Sequence, residues 1–218
     1  MWGMFQDRVD AGRRLGDALA ARPGRPAVVL ALPRGGVPVG AEVAHALGVP
    51  LDVILVRKLG VPAQPELAFG AIGEDDVRVL DDDIVRGRRV TAAQQAQIEE
   101  RERDELLRRV DLYRAVRPQE PIAGRAVLVV DDGVATGSTA RAACQVAWAR
   151  GAQAVVLAVP VAAAGSLEAL RDVADEVFAL EVPRAFRSVG EWYADFRPTT
   201  DREVDALLSS ARGPVQGS

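Results

Sequence analysis

Short apolar runs alternate with segments of helical spacing along most of this chain. Residues 27–32 (AVVLAL), 51–56 (LDVILV), 126–130 (AVLVV), 154–159 (AVVLAV) and 176–180 (EVFAL) have the length of strands. They carry almost no polar alternation, as expected of strands covered on both faces. Between them, Phe5, Val9, Leu15 and Leu19 recur at helical spacing in an opening helix over 5–21, stopped by Pro23 and Gly24. Further helices are predicted over 37–47 with Gly48 as the stop, from the turn at 136–139 to Arg150 with Gly151 as the stop, and over 166–173. Thr91 with Gln94, and Thr200 with Glu203, have capping-box spacing and open a long helix over 94–113 and a last helix in the tail. Glu99 with Arg103 and Glu105 with Arg109 are acid-before-base pairs four apart, which predict a solvated face on the long helix. Strands alternating with helices predict an α/β fold: a central parallel sheet flanked by helices, binding its ligand at the carboxyl ends of the strands.

Two regions depart from that alternation. Gly60, Pro62 and Pro65 disfavour regular structure, and residues 67–80 (LAFGAIG, then VRVL) read as a hairpin around Glu74, Asp75 and Asp76. The loop, hairpin and long helix at 60–115 therefore form an excursion from the sheet. The tail at 182–218 holds the aromatic cluster Phe186, Trp192, Tyr193 and Phe196, and is expected to build a small hood with the N-terminus. No repeat, low-complexity tract or linker divides the chain, so residues 1–218 read as one domain.

Composition narrows the functions open to such a fold. With 49% hydrophobic and 27% charged residues in 218, the chain can bury a sizeable core and is not a disordered segment. The formal net charge of -4 argues against a general nucleic-acid binder. One cysteine (Cys144) and one histidine (His45) exclude an internal disulfide, a CxxC site and a histidine-based metal centre, so any metal must be held mostly by oxygen. Cys144 reads as core and His45 as a surface or packing residue. No apolar run approaches the ~20 residues of a membrane span, and residues 1–14 lack the apolar block of a signal peptide, so a cytoplasmic protein without a membrane partner is expected. Lys58 is the only lysine among 27 basic residues. It is a pointer to a role for a compact point charge that arginine does not fill.

The segment 127–139, VLVVDDGVATGST, carries the most specific chemistry. A buried strand delivers Asp131 and Asp132, and a Thr-Gly-Ser-Thr turn then opens a helix. Gly137 lets the backbone approach a ligand, successive N–H groups at a helix start favour an anion, and Thr136, Ser138 and Thr139 add hydroxyls. Two carboxylates do not bind that same anion. They imply a ligand with hydroxyl groups, or a metal, beside its phosphate. A P-loop is excluded because no lysine lies near the turn, a DxD phosphatase pair because position 133 is glycine, and a dinucleotide fingerprint because GxGxxG is absent.

This strand, acidic pair and Thr-Gly loop resemble the 5-phosphoribosyl-1-diphosphate (PRPP) motif of the type I phosphoribosyltransferases. LPRGGVPVGAEVA, LDVILVRKLG, the segment after Pro65 and the tail VGEWYADF are similar to a bacterial branch of that family, so the resemblance covers nearly the whole chain. It implies the type I fold and transfer of the 5-phosphoribosyl group from PRPP to a small-molecule acceptor, nitrogenous or aromatic, with release of diphosphate. A non-catalytic PRPP-binding regulator is the alternative.

Carried over by position, Asp131 and Asp132 would hold the ribose hydroxyls, partly through water or Mg²⁺, the implied cofactor. Ala135, Thr136, Gly137, Ser138 and Thr139 would cradle the 5-phosphate. Arg34, Gly35 and Gly36 match the diphosphate loop, in which a strained or cis peptide is common. Arg57 and Lys58 lie on the diphosphate side, and Trp192 and Tyr193 could stack on a flat acceptor. Ala135 departs from the hypoxanthine-type members, which place an acidic residue there, and leaves proton handling unassigned. The resemblance also implies a homodimer. Residues 60–75 are expected to close over bound PRPP, with Lys58 at the base of that lid.

Overall fold

The computed structural model describes residues 4–211. Five strands form a parallel sheet: β1 (Val28–Ala31), β2 (Leu51–Val53), β6 (Ala126–Val130), β7 (Ala154–Val161) and β8 (Glu176–Glu181), in the order β2-β1-β6-β7-β8. β1 lies between β2 and β6, with Leu30 level with Asp52 on one side and Val129 on the other. Along β1 and β6, Val28, Leu30, Val127 and Val129 face one layer, and Val29, Ala31, Leu128 and Val130 face the other. Both sets are buried, which explains the unbroken apolar runs.

The first layer packs on α5 (Ser138–Ala149) through Ala140, Ala143 and Cys144. Burial pushes the Cys144 thiol up to about 12, in keeping with a core residue. The second layer packs on α1 (Arg8–Ala20) and α2 (Gly36–Leu47) through Leu15, Val39, Val43 and Leu47. Each such side chain contributes about 1.5–3 kcal/mol by leaving water. His45 is exposed in the last turn of α2.

The run at 51–56 does not form one strand. It breaks after Val53, and β3 (Val56–Val61) leaves the parallel sheet to pair with β4 (Gln64–Gly73) and β5 (Arg78–Leu80) in a separate antiparallel sheet. The expectation of irregular structure after Gly60 is corrected here. Pro62 falls in the two-residue turn, and Pro65 falls where the register slips between Gly60 and Val61, so neither removes a ladder hydrogen bond. Leu59, Val61, Phe69, Ala71 and Ile72 are buried and anchor the hairpin. The expected second turn lies between β4 and β5, with Asp75 and Asp76 in left-handed backbone at φ 58° and 56°.

A short helix, α3 (Asp82–Gly87), precedes α4 (Ala92–Arg114), which opens on the predicted capping box: Gln94 N–H donates to Thr91 Oγ1 at 3.3 Å and Thr91 N–H to Gln94 Oε1 at 2.9 Å. The solvated face expected around Glu99 and Arg103 is instead half-covered by the hairpin, where Glu99 pairs with Arg78 at 2.7 Å and Arg103 with Asp76 at 2.8 Å, and the far end of α4 is more enclosed still. Arg114 donates to Asp52 at 2.6 Å and to both oxygens of Glu74 at 2.6 and 2.7 Å, and both carboxylates are buried. This cluster ties α4 and the hairpin to the end of β2. The chain continues through α6 (Ala164–Leu170), a 3-10 turn at Val189–Trp192 and α7 (Asp201–Ser210). The two ends of the described chain meet where Phe5 bridges Tyr193, forming the hood. Among the described residues no helix is long and apolar enough to cross a membrane.

Candidate active site

Strand order reverses between β1 and β6: the chain goes outward to β2 from one and to β7 from the other. Ligands of open α/β sheets bind at such a switch point. The loops that leave these two strands carry the glycine and acidic clusters. After β1, Pro33, Arg34 and Gly35 turn into α2, and the Pro33–Arg34 peptide is cis. A Cβ on Gly35 would lie 2.1 Å from Asp132 Oδ2, and one on Gly36 would lie 2.8 Å from the Val130 carbonyl. Glycine is required at both positions because the two loops touch. The Arg34 and Gly35 N–H groups donate to no acceptor among the described residues. The Arg34 side chain is half-exposed and leans toward Asp201 at 3.9 Å.

Asp131 and Asp132 stand at the end of β6. Asp131 Oδ1 accepts the Asp132 N–H at 2.8 Å, and Asp132 Oδ2 accepts Arg8 Nε at 2.7 Å. Burial, then repulsion from Asp132, pushes the Asp131 carboxyl well above the usual aspartate range. Burial also raises Asp132, against the pull of Arg8. Two desolvated carboxylates of this kind favour a ligand that donates hydroxyls or brings a cation.

Downstream, Val134 is pinned by a bridge to Ala162, and Ser166 Oγ donates to the Ala135 carbonyl. Gly137 takes a left-handed φ of 79° and α5 starts at Ser138. That conformation turns the backbone so that the N–H groups of Ala135, Thr136, Gly137, Ser138 and Thr139 all remain without an acceptor among the described residues. Thr136 Oγ1 lies 3.2 Å from Ser138 Oγ. The cradle is open, with Ala135, Thr136 and Thr139 exposed.

The remaining predicted residues divide. Lys58 Nζ lies 3.4 Å from Ser138 Oγ and 3.1 Å from Glu66 Oε2, which places the only lysine at the cradle. Arg57, one residue earlier on β3, pairs with Glu102 on α4 at 2.5 Å and with it lines the cleft beside Lys58. A cleft of about 800 Å³ opens between β3, α4 and the β1 loop, lined by Pro33, Lys58, Gln94, Arg101 and Thr139 among others. Tyr193 is 5% exposed, packs against Phe5 and Phe196 at ring distances of 5.4 and 5.1 Å, and donates from its hydroxyl to the Asp132 carbonyl. Its place is beneath the acid pair, so the stacking role expected for it is replaced by support of Asp132. Trp192 is half-buried in the same cluster, and its carbonyl accepts the Phe5 N–H at 2.9 Å. Sequence reasoning missed Arg8, because its partner lies 124 positions away and a lone arginine at a helix start carries no signature.

A doubly wound sheet with a helix-start turn of free N–H groups beside paired carboxylates places both features at the switch point, where open α/β sheets bind their ligands. Comparison with known proteins makes the class specific. The profile of the phosphoribosyl transferase domain matches residues 6–196, and the chain belongs to that family. Proteins of Mycobacterium tuberculosis strains CDC 1551 and H37Rv, provisionally named phosphoribosyl transferases, are each 54% identical over 208 residues, 95% of this chain and 47% of theirs. The chain thus spans about half the length of these curated relatives. A stretch of 37 residues, 17% of this chain and 20% of the other, is 65% identical to adenine phosphoribosyltransferase of Kineococcus radiotolerans. The crystal structure of TT1426 from Thermus thermophilus superposes with a TM-score of 0.90 at 46% identity, covering 98% of this chain and all of that one.

Proposed function

We propose that the protein transfers the 5-phosphoribosyl group of PRPP to a small nitrogenous or aromatic acceptor and releases diphosphate. The observation that carries this reading is the contact between the two loops. Gly35 and Asp132 meet at a distance that leaves no room for a side chain, while the cradle begins at Ala135, two residues after Gly133, beyond the same strand end. A ligand spanning these features needs a phosphate for the cradle, hydroxyls for Asp131 and Asp132, and a second anionic group for the free N–H groups of Arg34 and Gly35. PRPP offers all three on one furanose.

The residues then have separate tasks. Ala135 through Thr139 anchor the 5-phosphate, with Lys58 adding charge at Ser138. Asp131 and Asp132 hold the ribose hydroxyls and favour the positive charge that develops at the anomeric carbon as diphosphate departs. The loop after β1 receives the leaving group, and the fixed ends of the sugar bring the acceptor into line without a covalent nucleophile. Mg²⁺ fits the donor set, since two adjacent carboxylates without histidine or thiolate suit a cation that keeps waters and phosphate oxygens. Asp131 and Asp132 would hold it, and when bound it neutralises charge on the diphosphate.

Ala135 favours a second reading, a PRPP-binding regulator, because it leaves the cradle without a carboxylate to handle the acceptor's proton. Diphosphate release, followed across a panel of nucleobases, amines and phenols with Mg²⁺ and PRPP, separates the two. Release with one acceptor above the hydrolytic background supports transfer. Tight PRPP binding with no release across the panel supports the regulator.

A further inference from the structure

Arg8 lies where the two ends of the described chain and both strand-end loops meet. It is the first residue of α1, behind the N-cap Asp7, whose side chain accepts the Asp10 N–H at 2.8 Å. A cation in the first turn of a helix opposes the helix dipole, at a local cost. Local rules are broken in this way where a site needs the residue. The side chain shows what offsets the cost. Nε donates to Asp132 Oδ2 at 2.7 Å, and Nη1 donates to the Arg197 carbonyl at 2.8 Å. The guanidinium lies 3.9 Å over the Phe196 ring and 5.9 Å from the Tyr193 ring, and only 11% of the side chain is exposed.

These contacts fix the plane and the position of the guanidinium independently of Asp132. The aromatic floor sets one axis and the Arg197 carbonyl sets the second. Asp132 is held from the other side by Tyr193, whose hydroxyl donates to its backbone carbonyl. Among the described residues no other basic side chain bonds to either carboxylate of the pair. The Asp132 Oδ1 atom accepts no hydrogen bond in the same set.

We infer that Arg8 is a positioning residue for the phosphoribosyl site: it clamps Asp132 through Oδ2 and so presents Oδ1 to a ribose hydroxyl. The inference rests on the proposed function, because it assigns Asp132 to the sugar. It also gives the hood a purpose, since α1 and the tail jointly set the orientation of one carboxylate after β6.

Two probes separate the sugar from the phosphate. Ribose 5-phosphate engages the acid pair as well as the cradle, whereas inorganic phosphate engages the anion sites, cradle or β1 loop, without the acid pair. Binding of each is measured by calorimetry for the wild type and for Arg8→Lys, Arg8→Gln and Phe196→Leu. If wild-type protein binds phosphate but gains nothing from the ribose, the assignment of Asp131 and Asp132 to the sugar fails, whatever Arg8 does. Where the wild type does gain from the ribose, Arg8→Gln is expected to weaken ribose 5-phosphate at least tenfold and phosphate less than twofold. Arg8→Lys, which keeps a cation for Asp132, is expected to stay within threefold of wild type for both. Phe196→Leu removes the floor but leaves the ion pair, and is expected to fall between them, with the loss confined to ribose 5-phosphate. Phe196→Leu carries the test if Arg8→Gln does not fold, with Arg8→Lys as the control that keeps the ion pair. Equal weakening of both probes, or undiminished ribose 5-phosphate binding in Arg8→Gln and Phe196→Leu, would overturn the inference.

Discussion

Asp131 is half-buried, its carboxyl withdrawn from water beside a second carboxylate, and the fold bears the cost. Its carboxyl binds a proton more tightly in the folded chain than in the unfolded chain, because burial and Asp132 raise it above the ordinary value of 3.8. Unfolding therefore releases protons above that value, and the residue makes folding less favourable as pH rises through the window between its unfolded and folded pKa. Asp131→Asn removes this term while keeping shape. The variant is expected to melt at or above the wild-type temperature at pH 7, with its advantage shrinking as the pH is lowered toward 4, and to bind Mg²⁺-PRPP more weakly. Calorimetric melting across that range checks it, and a variant that melts well below wild type at pH 7 would contradict it. Such a trade of stability for a binding site is common where charge is held ready for a ligand. At this scale the acid pair and Gly137 were legible in the sequence, since strand, DD and TGST sit within thirteen residues of one another. Lys58 was legible as an oddity of composition and, through the family resemblance, as a residue of the diphosphate side, but its place against Ser138 was not. Arg8 and the supporting place of Tyr193 were not, because both depend on contacts between distant parts of the chain.

The antiparallel hairpin and α4 are held to the parallel sheet by the buried cluster of Arg114, Asp52 and Glu74. Periodicity could not find it: Asp52 stands inside an apolar run, Glu74 inside a turn, and Arg114 at the end of a helix otherwise covered with charge. Asp52 also accepts the Glu120 N–H at 2.9 Å, so its two oxygens serve the strand, the helix and the following loop. Replacing Arg114 by Met leaves both carboxylates buried without their cation, a loss of about 3–5 kcal/mol. Urea unfolding is expected to show that loss, and a midpoint within error of wild type would remove the cluster from the account. The hairpin itself was half legible. The turn between β4 and β5 was signalled by Glu74, Asp75 and Asp76, whereas the prolines hid β3 and the start of β4. Because Leu59, Phe69 and Ile72 are buried, the bodies of both strands are expected to be protected from hydrogen exchange with or without ligand. A lid, if PRPP closes one, is then confined to the tip at 62–67, where Glu66 meets Lys58. Protection that rises on Mg²⁺-PRPP binding only at the tip supports this, and a rise along all of 60–75 would restore the larger lid.

For the whole molecule, alternating strands and helices gave the class of fold, and the switch point between β1 and β6 gave the site its place. What alternation could not supply was the splitting of 51–56 between two sheets, because a continuous apolar run looks the same whether one strand or two use it. Membership of the phosphoribosyl transferase family agrees with the arrangement of cradle, acid pair and glycine loop around that switch point. On the proposed function, these three parts bind one PRPP molecule together. Calorimetric titration of the wild-type protein and of the Asp131→Asn, Asp132→Asn double variant with Mg²⁺-PRPP tests it most directly. Saturable binding, one PRPP per chain, is expected for the wild type, with at least a tenfold loss in a double variant that remains folded. Absence of binding to the wild type, or equal binding to both proteins, would contradict it.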